Sequence, residues 1–280
     1  MLGELKELWK FRELLFTNIN RELKVRYKNS ILGFMWSLIN PLLTVLVMTL
    51  VFKVFLGLSV RNYTAYILAA YLPYMFFQSA LMDAAQSVNG SLGLIKKIYF
   101  PREIIPLSII VANFVHFAMA IGVFFLFLLG IWVIFPGVSP FQVTTFYLPV
   151  LLLIQFFLTL GIGLFISALN VFYEDVKYIV GVVLYLLFFL CPIMYFSEMV
   201  YQKSSETMYF VYNLNPVAAL CTAYRKILLA PQAVQTGDGT FQSLALDWKF
   251  VWIAAFVSIV ALIGGYAVFN RLKWKFVERP

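Results

Sequence analysis

Six separated apolar runs, at about residues 31–56, 64–89, 104–135, 143–169, 178–199 and 248–270, constrain this chain more than any other feature. Each reaches the ~20 residues that an α-helix needs to cross ~30 Å of hydrocarbon. A backbone in lipid must satisfy its own polar groups, so runs of this length predict an all-α integral membrane protein with six spans. Charged residues make up only 12% of the 280 residues, which excludes an ordinary soluble domain. Some thirty charge-rich residues precede the first run, so no cleavable signal peptide of the usual length is expected. The first span then directs insertion.

An even number of spans puts both termini on one side, and the basic residues choose the side. Fifteen Lys and Arg fall in segments 1–30, 90–103, 170–177 and 271–280, against six (Lys53, Arg61, Lys203, Arg225, Lys226 and Lys249) in the others. The positive-inside rule therefore predicts cytoplasmic termini. The net charge of +8 fits anionic headgroups better than nucleic acid, because the basic residues cluster at the ends of apolar runs.

Three connecting segments carry patterns of their own. In residues 1–28, Leu5, Leu8, Trp9, Leu15, Phe16, Ile19 and Leu23 share one helical stripe, as in a helix lying in the membrane interface. A helix packed on a soluble partner is the alternative. Arg12 sits inside the stripe and either snorkels to the headgroups or divides the helix in two. In SLGLIKKIYFPR (91–102), a helix would place Leu94, Ile95, Ile98 and Tyr99 on one face, with Lys96 and Lys97 elsewhere. Pro101 and Pro106 end this segment and start the next run. Such a knob between spans suits a soluble partner; an ordinary loop whose lysines only set orientation is the competing reading. In the long segment 200–247, Pro216 and Pro231 frame a helix over 217–229, too short to span, with Arg225 and Lys226 placed to complement its dipole. A re-entrant or interfacial hairpin is expected there, against a plain surface helix, followed by a polar loop at QTGDGTFQS. No internal repeat is visible.

Few residues suggest chemistry. None of the fifteen glycines is followed by lysine, so the chain lacks a phosphate-binding Gly-Lys-Ser/Thr loop. Asp83 and His116 are the intramembrane ionisable groups, and each has both a structural reading and a proton- or ion-relay reading. Cys191 and Cys221 have no CxxC spacing, and neither a metal site nor a disulfide is expected. Aromatic residues reach 18%, and Tyr71, Tyr74, Phe77, Tyr185, Phe188 and Phe189 lie mid-span. Aromatic faces pack well on sugar rings, so these six could line a carbohydrate passage; core or lipid packing competes with that.

RYKNSILGFMWSLINPLL (26–43), LIKKIYFPREIIPLS (94–108), ALNVFYEDVKYIV (168–180), FFLCPIMY (188–195) and NLNPVAALCTAYR (213–225) together resemble the permease subunit of ABC-2-type exporters of polysaccharides and polyol phosphates. These include exporters of O antigen, teichoic acid and capsule, and the resemblance runs over nearly the whole chain. It implies one transmembrane domain: an interfacial segment (1–30), spans one to five (31–199), an outer loop with re-entrant helices (200–247), span six (248–270) and a cytoplasmic tail (271–280). It also implies a homodimer in the bacterial inner membrane with two copies of a separate ABC ATPase. ATP and Mg would bind that partner and no cofactor this chain. The coupling helix would be Leu94, Ile95, Lys96, Lys97, Ile98, Tyr99, Phe100, Pro101 and Arg102. The substrate would be a glycan on undecaprenyl diphosphate, and Arg26, Lys28 and Arg12 are the basic residues best placed to meet its diphosphate. An ABC-2 exporter of drugs or lipids, or a membrane-embedded glycan-modifying enzyme, are the alternatives.

Overall fold

Each apolar run carries a helix among its described residues, as its length requires, with Pro41 and Pro73 accommodated inside the first two. The computed structural model describes residues 2–27, 35–55, 57, 62–134, 141–231, 234–236, 239–241 and 243–278. In chain order the helices are α1 (Leu2–Lys10), α2 (Arg12–Tyr27), α3 (Met35–Leu50), α4 (Tyr63–Gly90), α5 (Leu92–Ile95), α6 (Ile104–Ile134), α7 (Leu148–Phe172), α8 (Val176–Leu190), α9 (Ser197–Lys203), α10 (Glu206–Asn213), α11 (Pro216–Leu228) and α12 (Trp248–Leu272). A π-helical turn, Val51–Phe55, prolongs α3. Tight 3-10 turns lead into α7 (Val143–Tyr147) and follow α12 (Lys273–Glu278).

Among the described residues four helical stretches are long and apolar enough to cross a membrane: Tyr63–Gly90, Ile104–Ile134, Val143–Phe172 and Trp248–Phe276. These coincide with the second, third, fourth and sixth runs. Two shorter apolar stretches, Ile39–Phe55 and Val176–Leu190, stand in the first and fifth. Residues 31–34 and 56 of the first run lie outside the described residues.

The centre of the bundle is α4, against which α3, α6, α7, α8 and α11 all pack. Its alanines at 65, 69, 70, 80, 84 and 85 are buried, and small side chains let neighbouring backbones approach closely in place of a hydrophobic driving force. The most extensive helix pair is α7 with α12. At their crossing Gly161 faces Gly265, and a Cβ on Gly265 would overlap the Gly161 carbonyl oxygen, while one on Gly161 would overlap the backbone of Ala261 and Leu262.

A second apolar cluster closes the end of the bundle that carries both termini. Val88, Ile95, Phe100, Ile104, Leu164, Ala168, Val171, Phe269 and Phe276 are buried there, with Leu8 of α1, Phe11 after it, and Leu14 and Leu15 of α2 packed on them. The N-terminal helices thus lie against the protein. The predicted continuous stripe is broken at Phe11, which separates α1 from α2 and turns inward. Trp9 and Phe16 of that stripe are exposed, while Ile19 is buried. Arg12 stands at the break, donating to the Trp9 carbonyl at 3.3 Å and stacking on its ring.

Two further expectations require correction. The fifth run does not continue as a helix to residue 199: α8 stops at Leu190 after fifteen residues, about 22 Å, and the chain turns through Cys191–Phe196. Pro192 lacks the N–H that would continue the ladder. Segment 234–242 is more than a polar loop, since β1 (Val234–Thr236) and β2 (Gly239–Phe241) pair antiparallel with Thr236 opposite Gly239. Two residues of type Gly-Asp between strands are a hairpin spacing.

The Gly161–Gly265 crossing leads to a testable contrast. Gly265→Ala should lower the thermal unfolding midpoint of the purified protein, with an overpacking cost of ~1–3 kcal/mol. Gly264→Ala, whose Cβ would meet nothing within 4 Å, should leave it unchanged or raise it, because alanine is the better helix former.

Candidate functional site

The 91–102 segment folds as a compact knob and not as a continuous amphipathic helix. Only Leu92–Ile95 is helical, a single turn, after which Lys96–Ile98 turn and bend and Tyr99–Pro101 has no regular structure. Gly90 and Gly93 weaken helix here, and the residue before a proline is pushed towards extended backbone. The predicted apolar face is accordingly divided. Ile95 and Phe100 are buried in the terminal-end cluster, Leu94 is half-buried, and Ile98 and Tyr99 are exposed at 59% and 70%. Lys96 and Lys97 are exposed as well, whereas Pro101 and Arg102 are half-buried.

The chain termini hold this knob. Tyr99 donates to the Glu7 carboxylate at 3.0 Å, and that hydrogen bond, followed by the carboxylate charge, raises the phenol pKa. Lys273, just past α12, pairs with Glu103 at 2.6 Å in a buried salt bridge. Arg102 stacks on Trp274, and burial lowers its pKa. A small pocket of about 90 Å³ opens among Glu7, Tyr99, Arg102, Glu103, Lys273 and Trp274. Glu103 Oε2 and Arg102 Nη1 are buried without a hydrogen-bond partner among the described residues. The knob therefore offers exposed apolar side chains, Ile98 and Tyr99, beside exposed lysines, a combination suited to a protein partner.

At the far end the site is built around Arg225, which sequence reasoning treated as a helix-dipole partner. Asn215 caps α11 by accepting from the Val217 N–H at 3.1 Å, and Pro216 occupies its first turn. The helix is buried on all sides from Val217 to Arg225, packed on α4, α7 and α12, so it is no surface helix. Arg225 is 4% exposed. Its Nη2 donates to the carbonyls of Pro192 (2.6 Å) and Ile193 (2.9 Å), Nη1 to the Tyr66 hydroxyl (2.8 Å) and the Tyr195 carbonyl (3.4 Å), and Nε to the Tyr66 carbonyl (3.2 Å). The guanidinium also lies 3.7 Å from the Tyr66 ring centroid. Beside it Lys226 pairs with Glu198 at 2.6 Å and donates to the Leu244 carbonyl, joining α9, α11 and the approach to α12. No local pattern marks this role, because the turn carbonyls of Pro192 and Ile193 lie 33 and 32 residues before Arg225 in the chain.

The six path aromatics do not share one surface. Tyr74 and Phe77 are core residues, with the Tyr74 hydroxyl donating to the Leu184 carbonyl, because they lie on faces of α4 that neighbouring helices cover. In the single chain they line no passage. Tyr185 and Phe189 are exposed on α8 with their rings 5.2 Å apart, and Phe188 bridges from Phe189 to Tyr71 and Tyr74 edge-on. Of the residues predicted at the entry, Arg12 is exposed on the break between α1 and α2. Arg26 falls in the last turn of α2 but its side chain, like the whole of Lys28, lies outside the described residues.

Asp83 and His116 each have polar neighbours. Asn113 donates to Asp83 Oδ2 at 3.0 Å, and His116 lines a cavity of about 110 Å³ with Asn40, Ser79 and Asn113. Among the described residues no three His, Cys, Asp or Glu side chains are grouped to hold a metal.

Arg225 leads to a stability prediction. Arg225→Met removes five donors from buried acceptors and should destabilise the protein by ~3 kcal/mol or more, read as a fall in thermal midpoint in detergent. Arg225→Lys should recover only part of this, since an ammonium brings three donors and no planar fork.

Over 266 residues the chain is 30% identical to an O-antigen export system permease protein of Klebsiella pneumoniae, covering 95% of this chain and 94% of that one. A protein of the same description from Myxococcus xanthus is 28% identical over 278 residues, 99% of both chains. A capsule polysaccharide export inner-membrane protein of Neisseria meningitidis serogroup B is 23% identical over 271 residues, covering 93% and 91%. The family model for the ABC-2 type transporter matches residues 13–229, and the chain belongs to that family of transporter membrane subunits.

Proposed function

We propose that this chain is the permease subunit of an ABC exporter that moves a lipid-linked polysaccharide across the inner membrane. The observation that carries the reading is near end-to-end similarity to permeases of O-antigen and capsule polysaccharide export. Two copies of the chain would form the passage and two copies of a separate ATPase, binding ATP and Mg, would drive it. The termini and the knob would face the cytoplasm, in keeping with the basic residues of 1–30, 90–103 and 271–280. The α8 face with Tyr185, Phe188 and Phe189, together with Tyr71, is the aromatic surface left to line a passage between two copies. Arg26, with Lys28 and Arg12, is the proposed contact for the undecaprenyl diphosphate headgroup.

The reading is tested by deleting the gene. Lipid-linked polymer should then accumulate inside the cell and vanish from its surface; a cell with normal surface polymer would overturn it. Complementation with Arg26→Lys should restore protein level but not export if the planar fork binds diphosphate, and should restore both if Arg26 only anchors the segment to anionic lipid.

The knob generates a second prediction. A partner seated on Ile98 and Tyr99 loses an aromatic anchor, often worth ~2 kcal/mol, in Tyr99→Ala, but only a rim charge in Lys96→Ala. Tyr99→Ala should therefore reduce co-purification of the ATPase several-fold while Lys96→Ala leaves it nearly intact. Equal and negligible effects would make the segment a plain loop.

A further inference from the structure

We infer that the buried ion pair between Glu103 and Lys273 is the strut through which the knob moves the α7–α12 pair, which makes both of them positioning residues for ATP-driven export. This inference rests on the export reading and adds to it a route by which work done on the knob reaches the spans. Glu103 stands between the knob and α6, and Lys273 is the first residue after α12, so one contact ties the exit of the knob to the end of the last span. Lys273 Nζ donates to Glu103 Oε1 at 2.6 Å, and the two side chains are 11% and 5% exposed.

A buried ion pair is a costly way to gain stability, since apolar side chains of similar volume often serve as well. Its distinctive property is resistance to separation, because pulling the partners apart leaves two uncompensated charges away from water. The other hold on the knob is different in kind. The hydrogen bond from Tyr99 to Glu7 is exposed, and water can replace either partner there. A displaced knob can therefore part from α1 more easily than from the tail.

The tail is itself fixed to the spans. Arg102 and Lys273 both lie against the Trp274 ring, 5.6 and 5.5 Å from its centroid. Phe276 is buried, with its ring 5.5 Å from that of Phe269 in α12 and 6.0 Å from that of Phe172 at the end of α7, which pins the six-residue turn Lys273–Glu278 to both helices. About two helical turns back along α12 from Lys273, Gly265 meets Gly161 of α7 backbone to backbone. Close-packed contacts of this kind transmit displacement, so a shift of Lys273 carries α7 along with α12.

The experiment uses the complex of this chain with its ATPase in proteoliposomes. It reads ATP hydrolysis, movement of the polyprenyl-diphosphate-linked saccharide fraction of the host, and the amount of ATPase that co-purifies. Lys273→Met should leave ATPase binding and hydrolysis nearly unchanged while the saccharide moved per ATP falls about tenfold. Lys273→Arg, which keeps the charge, should retain most of the coupling. The exchange Glu103→Lys with Lys273→Glu should recover part of it, the remainder being lost because each charge then opposes a helix dipole. Glu103→Gln, close in shape to the native side chain, carries the test if Lys273→Met does not fold. Equal falls in hydrolysis and movement, with their ratio unchanged, would reduce the pair to a structural contact and overturn the strut. Loss of the ATPase from the complex would assign the pair to the docking surface and overturn it as well. Wild-type vesicles that hydrolyse ATP but move no saccharide would overturn the export reading, and the strut with it.

Discussion

A backbone that stops being helical inside an apolar bundle leaves carbonyls that water cannot reach, and in this protein Arg225 answers that problem. The turn after α8 directs the carbonyls of Pro192, Ile193 and Tyr195 at one guanidinium, which also takes the carbonyl and hydroxyl of Tyr66. An unsatisfied buried carbonyl costs ~1–3 kcal/mol, so several of them would not be tolerated without the arginine. The arrangement fixes α11 against α4, ends the fifth apolar stretch early and sets where the following short helices begin. Lys226 and Glu198 extend the same polar centre towards α12.

At the opposite end the organising contacts join pieces far apart in sequence. The knob is held by Glu7 from the first helix and by Lys273 and Trp274 from the tail, and Phe276 fills the cluster beneath it. The tail continues α12, and α12 is locked to α7 through the two facing glycines. A force applied to Tyr99 and Ile98 would thus reach the α7–α12 pair through the Glu103–Lys273 bridge as well as α4 and α6 through the chain itself. Packed side chains with little free volume transmit such displacements well.

These two ends give the exporter reading its physical content. One end presents exposed apolar side chains, Ile98 and Tyr99, and the other is a polar clamp around Arg225.

The positions of the long helices were legible because span length is set by a simple quantity, apolar residues per ~30 Å of hydrocarbon, and four stretches fall on the predicted runs. Local chemistry was legible too: Pro216 opens α11, and Asn215 and Asp247 cap the helices they precede. What hydropathy could not tell is which face of an apolar segment is covered, since packing core and lipid-facing surface have the same composition. Hence Tyr74 and Phe77 belong to the core while Tyr185 and Phe189 are exposed. The one-turn knob, the stop at Leu190 and the role of Arg225 likewise depend on partners more than thirty residues away or on proline and glycine acting together. The sequence by itself determined where the long helices run. Only the tertiary structure decided which polar groups meet, because hydrogen-bond satisfaction is a property of assembled neighbours and not of any one segment.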